Sequence, residues 1–211
     1  FDLKIQEDAW LNYAKISYEI GNPYKSAPQV LAGYLEKYPK TTFKAEIETL
    51  LIDSYITSKN YKEALKLLEG NKSFENKVAY QKVAFYRGLE LYNESNYIEA
   101  KKLFDASLKE PRDTNFTARA TFWKAETDYN LTNYDEALIG FKQFSQLTGS
   151  SSTPEYKNIE YNLAYTYFKL KNYSQTANYF NQFIASNKKE DKVRLNDAYL
   201  RLGDAYFVSS E

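Results

Sequence analysis

Asp53 and Glu126 are the acidic residues of this chain whose placement comes closest to a chemical site, because both fall at the same position of a repeated helical pattern. Paired carboxylates bind metals or act as acid and base when further ligands or partners join them. No metal-ligand cluster accompanies these two residues, and adjacent acids such as Asp135 and Glu136 cannot share one helical face. The sequence therefore predicts no catalytic residue, no metal site, no cofactor and no enzyme.

The composition excludes several other classes of function. Cysteine and histidine are both absent, which removes thiol catalysis, disulfides and the usual zinc sites. The 28 Lys and Arg residues balance 28 Asp and Glu residues, so no net charge favours nucleic acid or anionic lipid. No apolar run approaches the roughly 18 residues of a membrane-spanning helix. With 21 Tyr and 13 Phe but only 7 Gly, the chain is expected to fold around an aromatic core.

An Asn-Tyr pair recurs along the chain ahead of short helical patterns. The pairs begin at Asn60, Asn96, Asn133 and Asn172, and Asn22-Pro23-Tyr24 is a variant. The tyrosines are 37, 36, 37 and 39 residues apart, and they are Tyr24, Tyr61, Tyr97, Tyr134 and Tyr173. Such regular spacing indicates a repeat protein. Each asparagine is expected either to adopt a left-handed conformation or to satisfy free groups at a helix end.

A small residue follows each tyrosine by three positions, and an apolar residue lies four positions further on. The small residues are Ala27, Ala64, Ala100, Ala137 and Thr176, and the apolar ones are Leu31, Leu68, Phe104, Phe141 and Phe180. These spacings place the side chains on one face of a helix. A longer amphipathic segment precedes each pair, so each unit is predicted to consist of two antiparallel helices.

Small residues also recur in the longer, first helices, where they would let the paired backbones approach closely. They are Gly88, Ala125, Ala164 and Gly203.

Between two of the units lies a Gly and Ser run at residues 148–154, which lacks the spaced glycines and lysine of a phosphate-binding loop. We interpret it as a joint, with Pro154 expected to open the next helix.

The pattern Tyr199-x-x-Leu202-Gly203-x-x-Tyr206 resembles the first-helix signature of the tetratricopeptide repeat family, with Tyr in place of Trp. Ala100-x-x-x-Phe104 is similar to the second-helix signature, as is the matching motif at Ala137. The resemblance implies an all-α, right-handed superhelical solenoid of antiparallel helix pairs, with about five and a half repeats. The predicted units, within a single domain at residues 1–211, are residues 4–39, 42–72, 75–111, 114–148, 154–187 and a partial unit at 190–208.

Both ends of the array depart from the family pattern. Lys15 and Ile52 stand near the start where the family keeps small residues. The last predicted helix, at about residues 191–208, is a first helix without its second, and solenoid units bury their surfaces against neighbours. We therefore expect the sequence to be a segment of a longer array.

The resemblance also implies a concave groove lined by the first helices. Aligned by the repeat tyrosines, the inward positions are rich in aromatic residues, and the predicted partner-binding residues are Phe85, Tyr92, Phe122, Glu126, Tyr129, Tyr161, Tyr165 and Phe168. Side chains that bind a partner must be partly exposed before it arrives. The alternative is that these rings pack between successive first helices as core.

Three functions are compatible with such a groove. The first is a non-catalytic interaction scaffold that binds a protein or peptide, either extended or helical. The second is a carbohydrate or peptidoglycan reader that stacks sugars on the same rings, and the third is the docking arm of an enzyme outside this segment. The positions of the family's carboxylate clamp hold Asn12, Ile16, Leu50, Lys82 and Tyr86, so that clamp is not matched. Of the sugar-transferring branch's asparagine ladder, Asn162 alone corresponds.

The joint Tyr38-Pro39-Lys40-Thr41-Thr42 resembles one common in bacterial cell-envelope repeat proteins, with Thr in place of Ser. Those proteins include the outer-membrane assembly lipoprotein and the Tol-Pal coordinator. The resemblance favours a periplasmic or cell-envelope location.

Overall fold

The computed structural model describes residues 2–69, 74–109, 111–186 and 192–209. Every regular element in these ranges is helical, and they contain no strand. Short turns connect most consecutive helices, so that neighbouring helices run antiparallel. The prediction of an all-α chain of successive helix pairs is confirmed. The predicted unit boundaries at 72, 187 and 190 lie outside the described residues, as do residues 1 and 211.

The chain divides into two compact units, and the N-terminal unit spans Phe1–Val83. Its helices are α1 (Leu3–Ile20), α2 (Ala27–Lys37), α3 (Lys44–Thr57), α4 (Tyr61–Glu69) and the first part of α5 (Phe74–Asn93). One core cluster joins α1, α2 and α3 around Leu31, Tyr34 and Ile47, all fully buried. The repeat tyrosine Tyr24 lies in the turn before α2 and is 91% exposed, whereas Tyr61 is the first residue of α4.

The C-terminal unit spans Ala84–Glu211. After the rest of α5 come α6 (Tyr97–Lys109), α7 (Thr114–Asn130), α8 (Tyr134–Gln146), α9 (Ile159–Lys169), α10 (Tyr173–Ser186) and α11 (Lys192–Ser209). Two 3-10 turns, Ser150–Ser152 and Tyr156–Asn158, separate α8 from α9. The prediction that Pro154 opens a helix is wrong, because Pro154 lies between these turns and α9 begins at Ile159.

The α7 helix, which carries much of the candidate site, has a well-defined start. The Asp113 side chain accepts hydrogen bonds from the backbone N–H groups of Asn115 and Phe116, at 2.8 and 3.1 Å. An aspartate in this position satisfies N–H groups that have no partner within the helix and complements the positive end of the helix dipole. This cap fixes where the helix begins.

Each Asn-Tyr turn uses the residue before the asparagine as its left-handed residue. The positive φ angles are 58° at Lys59, 60° at Ser95, 64° at Thr132 and 60° at Lys171. The asparagine N–H then bonds to the carbonyl five residues earlier, as from Asn133 to Asp128 at 2.9 Å, and its own carbonyl accepts the first hydrogen bond of the next helix. The asparagines therefore satisfy helix ends, the second of the two expected roles, while the preceding residue adopts the left-handed conformation.

Two of the four small residues predicted in the first helices, Gly88 and Ala125, lie in close contact with the paired second helix. A Cβ atom added to Gly88 would stand 2.8 Å from Cε1 of Phe104, and one added to Gly140 would stand 2.7 Å from Cβ of Ala125. Ala100 and Ala137 are fully buried, as are the phenylalanines that follow them, Phe104 and Phe141. At Gly203 of α11 an added Cβ would meet nothing within 4 Å, so the close contact predicted at this residue is wrong.

No helix in the described ranges combines the length and the apolar character needed to cross a membrane.

Candidate functional site

Two adjoining cavities lie along the first helices of the C-terminal unit. The smaller, of about 220 Å³, we call the tyrosine pocket, and it is lined by Glu126, Tyr129, Tyr161, Asn162 and Tyr165. The larger, of about 450 Å³, we call the arginine cleft, and its walls are Tyr92, Arg119, Phe122, Trp123, Glu126, Pro154, Glu155, Asn158, Asn162 and Arg194. Glu126 and Asn162 line both cavities, so they stand where the two meet.

The Glu126 carboxylate is the central acceptor of this surface. Asn162 Nδ2 of α9 donates to Oε2 at 2.5 Å, and the Tyr92 hydroxyl of α5 lies 3.5 Å from Oε1. Burial raises the pKa of the Glu126 carboxyl, while the hydrogen bonds and the charge of Arg194 act to lower it. The carboxylate is thus desolvated and has acceptor capacity beyond the two groups that approach it.

Tyrosines of α5 and α7 extend the polar surface on one side of Glu126. Asn130 Nδ2 donates to the Tyr92 hydroxyl at 2.9 Å, and burial raises the pKa of Tyr92. Burial likewise raises the pKa of Tyr129 to about 12. Both phenols therefore stay protonated at neutral pH and keep their hydrogen-bonding capacity.

Asp197 of α11 fixes the two tyrosines of α9. The hydroxyls of Tyr161 and Tyr165 donate to the same oxygen, Oδ2, at 2.7 and 2.5 Å. Arg201 Nε donates to the Tyr165 hydroxyl at 3.2 Å and lies 3.7 Å from Asp197 Oδ1. Burial, followed by the hydrogen bond to Asp197, raises the pKa of Tyr161 and Tyr165. The two rings are therefore held in place by a neighbouring helix.

The arginine cleft contains a second, more buried network. Glu155, 6% exposed, accepts at 2.9 Å both from Arg119 Nε and from Trp123 Nε1. The Arg119 guanidinium also lies 4.8 Å from the centre of the Phe85 ring. Also in the lining of the cleft, Arg194 Nη1 donates to Asn158 Oδ1 at 2.7 Å. These pairs hold the cleft walls in place, because each polar group is oriented by a partner on another element.

Two of the predicted binding residues belong to the core. Phe85 is fully buried and Phe122 is 5% exposed, so the expectation that both are partly exposed is wrong. The Phe122 ring centre lies 5.4 Å from that of Phe141 and 5.2 Å from that of Phe144, both on α8. Phe85 lies 6.1 Å from Phe104 of α6 and 5.5 Å from Phe116. Second-helix rings cover both side chains, which leaves at most an edge of Phe122 in the cleft wall.

The other predicted residues are all partly exposed. Glu126, Tyr129, Tyr161 and Tyr165 come together around the tyrosine pocket, and Tyr92 lines the arginine cleft. Phe168 lines neither cavity and packs edge-on against Tyr173 at the end of α9, with ring centres 5.8 Å apart. The structure therefore gathers five partly exposed residues of the eight around the two cavities, and the buried Phe122 lies in the cleft wall.

Several polar residues of this surface were missed by the sequence analysis. They are Arg119, Trp123, Asn130, Glu155, Asn158, Arg194, Asp197 and Arg201. The repeat spacing could have identified many of them, because the hydrogen bonds join polar residues 36 positions apart, which is about one repeat. These pairs are Arg119–Glu155, Glu126–Asn162, Asn158–Arg194, Tyr161–Asp197 and Tyr165–Arg201.

The surface offers acceptors, donors and aromatic rings within a few ångströms of one another. Within the described ranges, no group of three or more Asp and Glu residues is placed to hold a metal ion. Partly exposed, mutually oriented groups of this kind suit the binding of a ligand that carries both apolar and polar parts.

Residues 160–189, which cover most of α9 and α10, match the family model of the tetratricopeptide repeat. No curated protein sequence matches the chain. Among solved structures, the chain is similar to a tetratricopeptide repeat protein from Parabacteroides merdae, with 17% identity and a TM-score of 0.56, over 98% of this chain and 74% of that one. It is also similar to BtubC (BKLC) from P. vanneervenii, with 12% identity and a TM-score of 0.54, over 100% and 85% of the two chains.

The recognition of tetratricopeptide repeats in the sequence is thereby confirmed. One repeat is matched directly, and the fold of the chain is shared with a protein built of such repeats.

Proposed function

We propose that the chain is a non-catalytic interaction scaffold that binds a segment of a partner protein along the tyrosine pocket and the arginine cleft. The observation that carries this proposal is the convergence of polar and aromatic side chains from four consecutive first helices, α5, α7, α9 and α11, on two adjoining cavities. A peptide laid across them would meet ring surfaces and hydrogen-bonding groups in alternation.

The size and character of the surface favour a peptide over a sugar. Stacking on a sugar needs a flat platform, whereas the rings of Tyr161 and Tyr165 are inclined by 52° with centres 5.0 Å apart. Their hydroxyls are already bonded to Asp197, which leaves fewer groups at the ring edges for sugar hydroxyls. Inclined rings form instead the walls of a pocket that receives a single side chain.

A selection from a random peptide library displayed on phage tests the proposal without knowledge of the natural partner. Peptides enriched on the native chain are expected to bind with micromolar affinity, and Tyr165→Ala is expected to weaken them by about tenfold or more. The matched control is Ile139→Ala on α8, where the side chain is 67% exposed. Peptides that bind Tyr165→Ala as well as the native chain, but lose affinity for Ile139→Ala, would place the binding surface elsewhere.

A parallel titration with a soluble peptidoglycan fragment addresses the carbohydrate alternative. We expect no shift in the backbone amide resonances of Tyr161 and Tyr165. Saturable shifts of these amides at millimolar fragment would favour the sugar reader over the peptide scaffold.

A further inference from the structure

The Glu126 carboxylate differs from the other deeply placed carboxylates of the C-terminal unit. Asp128, 2% exposed, is paired with Lys101 Nζ at 2.5 Å, and Glu155, 6% exposed, is paired with Arg119 at 2.9 Å. Burial raises the pKa of the partly exposed Glu126, and the charge of Arg194 acts to lower it. Within the described ranges, however, no Lys or Arg nitrogen is paired with the Glu126 carboxylate at 4 Å or less. Its partners there are the neutral donors Asn162 and Tyr92.

A desolvated carboxylate without a cation in direct contact is unfavourable for the folded chain, and most buried charges in proteins are paired. Carboxylates whose pKa is perturbed by burial cluster at functional sites. Glu126 opens onto a cavity, so a cation could reach it from solvent without a change in the packing of α7 against α8.

The remaining walls of the tyrosine pocket also suit a cation. Three of its five lining residues are tyrosines, and aromatic rings attract ammonium groups through the negative charge of their faces. Asp197 Oδ2 accepts from two of these hydroxyls and adds negative charge behind them. A volume of about 220 Å³ accommodates one long side chain rather than a larger ligand.

Resting on the proposed function, we propose that the tyrosine pocket takes a lysine side chain of the partner, with the ammonium bound to the Glu126 carboxylate and the methylene chain against Tyr129, Tyr161 and Tyr165. The ammonium donates to the free acceptor sites of Glu126, and Asn162 keeps the carboxylate oriented. An acidic or neutral side chain at this point would leave Glu126 without its counter-charge.

The pocket is tested directly with Nα-acetyl-lysine N-methylamide as the probe, followed by backbone amide NMR of the full chain. We expect saturable shifts at Tyr129, Tyr161 and Tyr165. Glu126→Gln, which keeps the shape and the contact with Asn162, should weaken binding by about tenfold, as for the loss of a charged hydrogen bond. The control Glu136→Gln removes an exposed carboxylate of α8 and should leave the affinity unchanged.

Nα-acetyl-norleucine N-methylamide, which has the apolar chain without the charge, is the matched probe. Equal affinity for the lysine and norleucine probes, or equal affinity of the native chain and Glu126→Gln for the lysine probe, would overturn the inference.

The phage-selected peptides separate failure of this inference from failure of the proposed function. We expect them to carry a lysine whose replacement by norleucine weakens binding to the native chain by about tenfold but has little further effect on Glu126→Gln. Peptides that depend on Tyr165 but show no coupling to Glu126 would overturn the lysine assignment and leave the scaffold in place. A lysine probe that binds while no peptide is enriched would support the pocket and contradict the peptide scaffold.

Discussion

Phe122 of α7 and Tyr161 of α9 occupy corresponding repeat positions, yet one is core and the other forms the wall of a pocket. Both rings pack against phenylalanines of the following helix: Phe122 lies 5.2 Å from Phe144, and Tyr161 lies 5.1 Å from Phe183. The difference is the hydroxyl of Tyr161, which reaches past the core to Asp197 of the next first helix. One added oxygen and one acid a repeat away therefore distinguish the wall of the tyrosine pocket at Tyr161 from the core position at Phe122.

Truncation of the two rings should have the largest effect and should separate them. Phe122→Ala removes a buried ring and is expected to cost about 3–5 kcal/mol of unfolding free energy. Tyr161→Ala, at a partly exposed position, should cost clearly less, about 1–2 kcal/mol. Urea unfolding followed by circular dichroism measures both. Equal losses of about 3 kcal/mol or more would show that Tyr161 is core as well, and would remove it from the proposed surface.

The glycines of the first helices give the next largest contrast. Gly88→Ala would place its Cβ 2.8 Å from the Phe104 ring and should cost about 1–3 kcal/mol through overpacking. Gly203→Ala meets nothing within 4 Å and should instead stabilise the chain by about 0.5–1 kcal/mol, because alanine favours a helix. Thermal unfolding of the two variants compares them. A stabilising effect of Gly88→Ala would show that α5 and α6 are not in close contact there.

Removal of the Tyr165 hydroxyl should have a smaller effect on stability than the changes above. Tyr165→Phe deletes the bond to Asp197 but keeps the ring, and is expected to cost about 0.5–1.5 kcal/mol of unfolding free energy. The opposite change, Phe122→Tyr, adds a hydroxyl at a core position. It should lower the unfolding free energy more than Tyr165→Phe does, since it buries a hydroxyl among the rings of α8. A denaturant midpoint of Phe122→Tyr equal to that of the native chain would show that the edge of the Phe122 ring reaches solvent.

The smallest effect, and one that depends on pH, is expected for Glu126→Gln. Because burial raises the folded-state pKa of Glu126, the wild-type carboxyl favours folding while it is protonated, and this contribution is lost as the pH rises from the unfolded pKa through the folded one. Glu126→Gln should therefore be more stable than the wild type at pH 7, with the advantage disappearing below about pH 4. A variant less stable than the wild type at pH 7 would indicate an ionic partner for Glu126.

The repeat itself could be predicted from the sequence, because its signals are local. The small residues at Ala100 and Ala137 and the phenylalanines that follow them were expected on the packing face, and all are buried. Spacings of three and four report which side chains share a helical face. They do not report how far that face is covered by the next helix, so Phe85 and Phe122 were assigned to the groove although both are core.

The polar part of the site was not predicted because its partners lie a repeat apart. In the sequence, nothing distinguishes Asp197 from other helical aspartates. Its role follows from the packing of α11 beside α9, where the hydroxyls of Tyr161 and Tyr165 donate to it. Glu155 was hidden for another reason, since it lies in the segment after Pro154 that was expected to be plain helix. Its burial beside Arg119 and Trp123 depends on the 3-10 turns that precede α9.

The left-handed residues of the Asn-Tyr turns lower the stability of the folded chain. The left-handed conformation costs a residue that has a side chain about 1–2 kcal/mol, and it is least favourable for the β-branched Thr132. The residues in this conformation are Lys59, Ser95, Thr132 and Lys171. Glycine at these positions would relieve that cost, part of which is offset by the greater freedom of glycine in the unfolded chain. The turns are one repeat apart and share no partners, so their contributions should add. Glycine substitutions at the turns should therefore raise the melting temperature stepwise, while the side chains that line the two cavities stay unchanged.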